Sequence, residues 1–163
     1  MQSGSRIADF GAGSGFYSMY GAIAVGDRGR VYAVDVQKDI LSRIKKEAEE
    51  RGLRNIEVVW GDVEKLGGSH LKDASLDWVI MSNLLFQVKD RNAVLDEAKR
   101  VLKKGGRVLL VDWSDASVGV GPTPSAVFAE FDAKKLFAEK GFSVERKISA
   151  GHHHYGLVFR MNM

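Results

Sequence analysis

Asp9-Phe10-Gly11-Ala12-Gly13-Ser14-Gly15 is the stretch on which the fold turns. It lies between a short β-type run, Arg6–Phe10, and a small-residue helical stretch over residues 14–25. Glycines at such a junction permit a tight turn and let a ligand approach the backbone, while the unpaired amides of the helix start face that ligand. A nucleotide-like guest is expected.

Working outward, residues 30–36 read as a second strand after the turn Gly26-Asp27-Arg28-Gly29, and residues 38–51 as a surface helix with Ile40, Leu41, Ile44 and Ala48 on one stripe. Residues 55–60 and 76–83 give two more strands, and residues 90–103 a helix closed by Gly105-Gly106. Residues 107–113 are apolar enough to be buried on both faces, as in a central strand. Beyond a Ser/Gly-rich loop at 114–123, a helix is expected to start at Pro124-Ser125 and, after a break capped by Asp132, to reach Lys140. Phe128, Phe131, Phe137 and Phe142 are expected in the core. Residues 143–150 and 155–161 read as two strands joined by Gly151-His152-His153-His154, a hairpin added to the sheet. Strands alternating with helices predict an α/β fold with a mostly parallel sheet.

Two carboxylates accompany the glycine loop. Asp35 ends the second strand twenty positions after Gly15, where an acidic side chain accepts both hydroxyls of a ribose. Asp62, followed by Val63, stands after the third strand within reach of an adenine amino group; a carboxylate there can equally cap a loop. Charge separates ligands that share adenosine. A diphosphate would have to lie on the loop holding Asp9, and two unit charges about 4 Å apart repel by roughly 4 kcal/mol at an effective dielectric of about 20. S-adenosylmethionine (SAM) brings an ammonium and a sulfonium and no phosphate, so Asp9 favours it over NAD.

Composition narrows the classes further. The 163 residues are 45% apolar, enough for one core and, as expected here, a single domain over residues 1–163. Lys plus Arg exceed Asp plus Glu by only three, 24 against 21, and the signs are interleaved, so nucleic acid is neither indicated nor excluded. The absence of cysteine removes disulfides, thiolate metal sites and cysteine nucleophiles. No apolar run is long enough to span a bilayer, and with no leader segment read before Ile7 a cytoplasmic location is the default.

The ordered set Asp9, Gly11, Gly13, Gly15, Asp35 and Asp62 resembles the class I SAM-dependent methyltransferases, whose first motif reads acidic-x-Gly-x-Gly-x-Gly. Residues 77–86 and Leu102-Lys103-Lys104-Gly105-Gly106 extend the likeness over nearly the whole chain. Within that superfamily it looks most like the small-molecule branch that includes the ubiquinone and menaquinone-biosynthesis enzymes (type 11). The resemblance implies a three-layer, Rossmann-like, seven-stranded sheet of order 3-2-1-4-5-7-6 with the seventh strand antiparallel. SAM would lie across the carboxyl ends of strands one to three, held by Asp9, Gly11, Gly13, Gly15, Asp35, Val36, Asp62 and Val63, and would leave as S-adenosylhomocysteine. Such enzymes usually carry a helix or more before the first strand, whereas only Met1 to Ser5 precede it here. The cleft is therefore expected to be open, or closed by a second subunit, a large substrate or residues outside this sequence; monomer and homodimer both remain open.

Methyl transfer needs alignment and exclusion of water more than acid–base groups, and a base only where the acceptor must lose a proton. Candidates for the acceptor side are Asn83 at the exit of strand four, Asp112 at the end of strand five, and His153 in the histidine turn, though strand-end packing and an ordinary polar hairpin explain these positions too. Ser82-Asn83 is not part of an Asn/Asp-Pro-Pro-aromatic motif, and position 112 lacks the lysine of a Lys-Asp-Lys-Glu set. Amide and ribose acceptors lose weight accordingly, and arsenite loses its usual thiolate route. The expected activity is methylation of a small molecule without a metal. A minimal RNA methyltransferase, a SAM-binding module without turnover and an NAD-dependent oxidoreductase are the alternatives.

Overall fold

The apolar runs form one seven-stranded sheet in a computed structural model that describes residues 1–116 and 119–163. Its strands are β1 (Arg6–Phe10), β2 (Arg30–Asp35), β3 (Ile56–Trp60), β4 (Leu76–Ser82), β5 (Leu102–Trp113), β6 (Phe142–Ile148) and β7 (His154–Met161). Helices α1 (Phe16–Val25), α2 (Lys38–Glu50), α3 (Arg91–Val101) and α4 (Glu130–Glu139) alternate with them. The order is β3-β2-β1-β4-β5-β7-β6, as the resemblance implied. Neighbours from β3 to β5 pair in parallel, while β7 is antiparallel to both β5 and β6. The order reverses between β1 and β4, which opens a crevice at the carboxyl ends of the strands.

Burial follows from position in the sheet. Ile7, Ala8 and Phe10 of central β1 are fully buried, whereas α2 buries only Leu41, Ile44 and Ala48 and turns its charged face outward. On the far side Phe137 of α4 stacks on Phe159 of β7, with centroids 3.8 Å apart, and meets Phe142 edge-on. Burying each such ring stabilises by roughly 1.5–3 kcal/mol. This packing anchors the β6–β7 hairpin, whose turn thereby reaches the carboxyl edge of the sheet beside the end of β5, where Ser114 N–H donates to the His153 carbonyl at 2.8 Å.

Several boundaries differ from expectation, each for a local reason. α1 starts at Phe16, because Gly15 sits in the left-handed region at φ 79°. Val36 lies just beyond β2 and is exposed. The helix expected to reach Lys103 ends at Val101, and β5 begins at Leu102, which pairs with Leu76 ahead of a register shift; Gly105-Gly106 therefore lie inside an irregular strand. Pro124–Ala126 makes only a 3₁₀ turn, and α4 is capped by Ala129, with Asp132 in its first turn. Phe131 points outward, 75% exposed, while Phe128, Phe137 and Phe142 join the core. Ser117 and Val118 of the expected 114–123 loop lie outside the described residues. Among the described residues no helix is long and apolar enough to cross a membrane.

Candidate active site

The loop between β1 and α1 is shaped by its glycines. Gly11, Gly13 and Gly15 all have positive φ, at 68°, 52° and 79°. The Gly11 and Ala12 amides donate to the Val34 carbonyl at 2.9 and 3.0 Å, which ties the loop to β2. A Cβ on Gly11 would stand 2.8 Å from Leu84 Cδ1, whereas one on Gly13 would meet only the Gly11 carbonyl oxygen, at 3.8 Å. A side chain at position 13 would thus project into the crevice itself.

That crevice has two connected chambers. The first, lined by Asp35, Val36, Asp62, Val63 and Glu64 among others, shares Gly11, Gly13 and Gln87 with the second. The Asp35 carboxylate accepts from the Gly13 amide at 3.1 Å and the Gln37 amide at 3.0 Å. Two backbone donors fix its plane, and an ionised carboxylate with about four acceptor sites keeps capacity for further donors. Asp62 accepts from Lys65 Nζ at 3.0 Å and the Glu64 amide at 3.0 Å; the Lys65 bond, outweighing desolvation, holds its carboxyl below the ordinary range. Val63 is buried beside it.

Two buried or half-buried acids brace this chamber. Glu97 of α3, fully buried, accepts from the amides of Gly67 at 2.6 Å and Ser69 at 3.0 Å, and from the Arg100 guanidinium at 2.6 and 2.9 Å. Burial works to raise its carboxyl, but the bonds from Arg100, Ser69 and the two amides prevail and hold it down at about 2. Glu64 Oε1 accepts from the amides of Lys89 and Asp90 at 2.6 and 2.8 Å, joining the loop after β3 to the segment after β4.

The second chamber, about 460 Å³ against about 250 Å³ for the first, is lined by Asp9, Phe16, Tyr17, Ser82, Asn83 and His154 among others. Asp9 is 2% exposed and accepts from Ser18 Oγ at 2.7 Å. Desolvation pushes its carboxyl up to about 7 against the Ser18 bonds, with the Asp35 charge adding to the rise. Asp9 thereby favours a cation less than its place in the sequence implied: near neutral pH its carboxyl is not held as a full anion. Burial likewise raises Tyr17, with the neighbouring Ser82 hydroxyl opposing the rise.

The acceptor candidates separate. Asn83 lies in the second chamber. Asp112 does not: it is fully buried, its carboxylate accepting from the amides of Leu85 at 3.1 Å and Trp113 at 2.8 Å, and burial raises it to about 6. His153 pairs outside with Asp115, Nδ1 to Oδ1 at 2.9 Å, both half-exposed. The histidine that faces the chamber is the next one, His154, with Nε2 2.9 Å from Asn83 Oδ1 and its ring against Trp113. Tyr17, Gln87, Glu97 and the choice of His154 escaped sequence reasoning. Only Tyr17, two residues past the last loop glycine, carried a positional signal.

Charge defines the guest. Among the described residues no Lys or Arg lines either chamber, while Asp9, Asp35, Asp62 and Glu64 do. A diphosphate in the first chamber would meet Asp35, Glu64 and an Asp62 already paired with Lys65, with no Lys or Arg among the lining residues. Asp35 stands in this lining with acceptor capacity to spare, and Gly13 leaves the crevice clear. Nor do the described residues hold a group of three or more His, Asp and Glu suited to a metal ion.

The fold is Rossmann-like, of the class that methyltransferase domains share. Residues 1–150 match the methyltransferase domain family, and the chain belongs to it. The demethylmenaquinone methyltransferase of Oceanobacillus iheyensis is 31% identical over 118 residues, 72% of this chain and 48% of that protein. The arsenite methyltransferase of Halobacterium salinarum is 30% identical over 112 residues, 69% of this chain and 28% of that one. The chain thus spans less than half the length of either relative. A crystal structure of a SAM-dependent methyltransferase from Aquifex aeolicus superposes with a TM-score of 0.88 at 28% identity, covering 98% of this chain and 84% of the other.

Proposed function

We propose that this chain transfers the methyl group of SAM to a small-molecule acceptor and releases S-adenosylhomocysteine. The observation that carries the reading is the acidic, cation-free lining of a glycine-walled cleft at the switch point of the sheet. SAM, when bound, supplies an electrophilic methyl whose bonding electrons leave with sulfur. Asp35 would accept the ribose hydroxyls, and Asp62 and Val63 would bound the adenine. Asp9, with Gly11 and Gly13, would receive the positive end of the guest from behind the loop, ionising as it does so. Glu97 and Glu64 act as positioning residues, since they fix the loop that carries Asp62 and its distance from the β4 exit. Asp112 holds the Leu85 amide and so fixes the turn that presents Asn83.

The second chamber is where an acceptor would meet the methyl group, at roughly 3–3.5 Å for in-line displacement. The named relatives act on demethylmenaquinone and arsenite, and both are small molecules. For arsenite this chain, having no cysteine, offers no thiolate. An RNA acceptor gains no support from an acidic lining. The reading takes residues 1–163 as one domain in the cytoplasm. Competition tests it: SAM should displace S-adenosylhomocysteine, whereas NADH fluorescence should not respond to the protein. Binding of NADH that survives excess SAM would overturn it.

A further inference from the structure

A third cavity, of about 430 Å³, adjoins the first chamber and shares Val36, Gly61 and Asp62 with it. Its other walls are Trp60, Lys65, Gly68 and His70. The volume lies within the range of about 300–1,000 Å³ that small-molecule sites occupy. Trp60 and His70 have no task in the proposed methyl transfer.

The floor of this cavity is backbone packed on backbone. The Asp62 amide donates to the Gly68 carbonyl at 3.0 Å and the Gly68 amide to the Lys65 carbonyl at 2.8 Å, so the loop after β3 folds back on itself. A Cβ on Gly61 would stand 2.5 Å from the Gly68 carbonyl oxygen, which leaves room for no side chain there. His70 is held in left-handed backbone at φ 57°, its amide donating to the Gly67 carbonyl at 3.1 Å. Such backbone is uncommon outside glycine, and at a cavity wall it points to function.

Trp60, at the end of β3, is 57% exposed, whereas Trp78 and Trp113 are buried. Its indole Nε1–H donates to the Val36 carbonyl at 2.9 Å, so the ring is fixed and its one polar atom is already satisfied. The Lys38 ammonium stands 4.5 Å from the ring centroid. It covers only one face, and a large apolar ring left in water is a platform on which another planar ring can stack. Charge here is opposite to that of the cleft. Lys38 and Lys65 bring two ammonium groups against the carboxylate of Asp62, which Lys65 already pairs at 3.0 Å. The first chamber next to it is lined by carboxylates and by no Lys or Arg. An anion therefore prefers this cavity, and a cation the cleft.

We propose that the cavity binds a planar aromatic anion, its ring stacked on the Trp60 indole and its acid group beside Lys38 and Lys65. A carboxylate or sulfonate on a fused ring is the simplest compound with both features. Because the cavity shares only a wall with the first chamber, it fills while the cleft holds its own guest. The site stands whether or not the chain transfers methyl groups.

The test is equilibrium dialysis of the chain with 2-naphthoate, with and without saturating S-adenosylhomocysteine. One naphthoate should bind per chain with a Kd below about 1 mM in both cases. The uncharged 2-naphthamide should bind at least about fivefold more weakly. Trp60→Leu should weaken naphthoate binding about tenfold or more, while Trp60→Phe, which keeps a ring, should retain most of it. Lys38→Gln should weaken it about two- to fivefold, and added salt should act in the same direction. Absence of saturable binding, displacement by S-adenosylhomocysteine, equal affinity for the amide, or a Trp60→Leu variant that matches either the unaltered chain or Trp60→Phe would remove the site. A chain that takes up naphthoate but not S-adenosylhomocysteine would leave the site standing and overturn the methyltransferase reading alone.

Discussion

The two chambers of the cleft are built by different means. The first is a product of backbone conformation: positive-φ glycines, strand ends in parallel register, and carboxylates held by main-chain amides. The second is assembled from side chains distant in the chain, its Asn83–His154 contact joining residues 71 positions apart. A chamber made by backbone admits few substitutions, whereas one walled by side chains can be reshaped one residue at a time. Damage to the first should therefore abolish binding, and damage to the second should change what is methylated.

The largest effect is expected from Gly13→Val. It places a branched side chain in the crevice at φ 52°, and S-adenosylhomocysteine should bind more than about a hundredfold more weakly while folding stability falls by only about 1–2 kcal/mol. Titration beside thermal melting checks this. Near-normal binding would show that the guest does not cross the glycine loop. Next comes Glu97→Ala, which removes a buried partner of Arg100 and the acceptor for the Gly67 and Ser69 amides. Urea unfolding should show a loss of about 3–5 kcal/mol.

The pH dependence contrasts two acids. Glu97, held at about 2 in the folded chain, contributes stability that is present above its unfolded value and lost as the pH falls through about 2. Asp9 has the opposite sign: with its carboxyl raised to about 7, its contribution is fully present below the unfolded value of 3.8 and is lost as the pH rises through about 7. SAM affinity should accordingly rise several-fold between pH 6 and 7.5 as Asp9 ionises, and Asp9→Asn should flatten that rise. The smallest effect belongs to His153→Ala. Its exposed pairing with Asp115 is worth under about 1 kcal/mol, and turnover should be unchanged.

Legibility in the sequence followed the same division. The strand order was implied by the family resemblance, and the placing of Gly11, Gly13, Asp35 and Asp62 along the cleft could be anticipated because each sits just past or at the end of a strand that its own neighbours define. Asp9 was placed correctly along the chain, yet its burial behind the loop and its bond to Ser18 depend on packing by α1. The histidine turn was visible, but choosing His154 over His153 requires the β5–β7 register, in which Trp113 faces His154. Gly105-Gly106 looked like a helix stop. The Leu76–Leu102 pairing drew them into β5, a tertiary preference that overrides local punctuation. Glu97 carried no signal, since a glutamate on a helix is ordinarily solvated and only the folded loop supplies its donors.

The most direct test of the central claim is calorimetric titration of the chain with S-adenosylhomocysteine, repeated on Asp35→Ala. A micromolar-range Kd, about −8 kcal/mol, is predicted for the unaltered chain, with a loss of at least about tenfold in the variant. Absence of binding, or equal binding by both proteins, would contradict a cleft built around a cationic adenosine derivative.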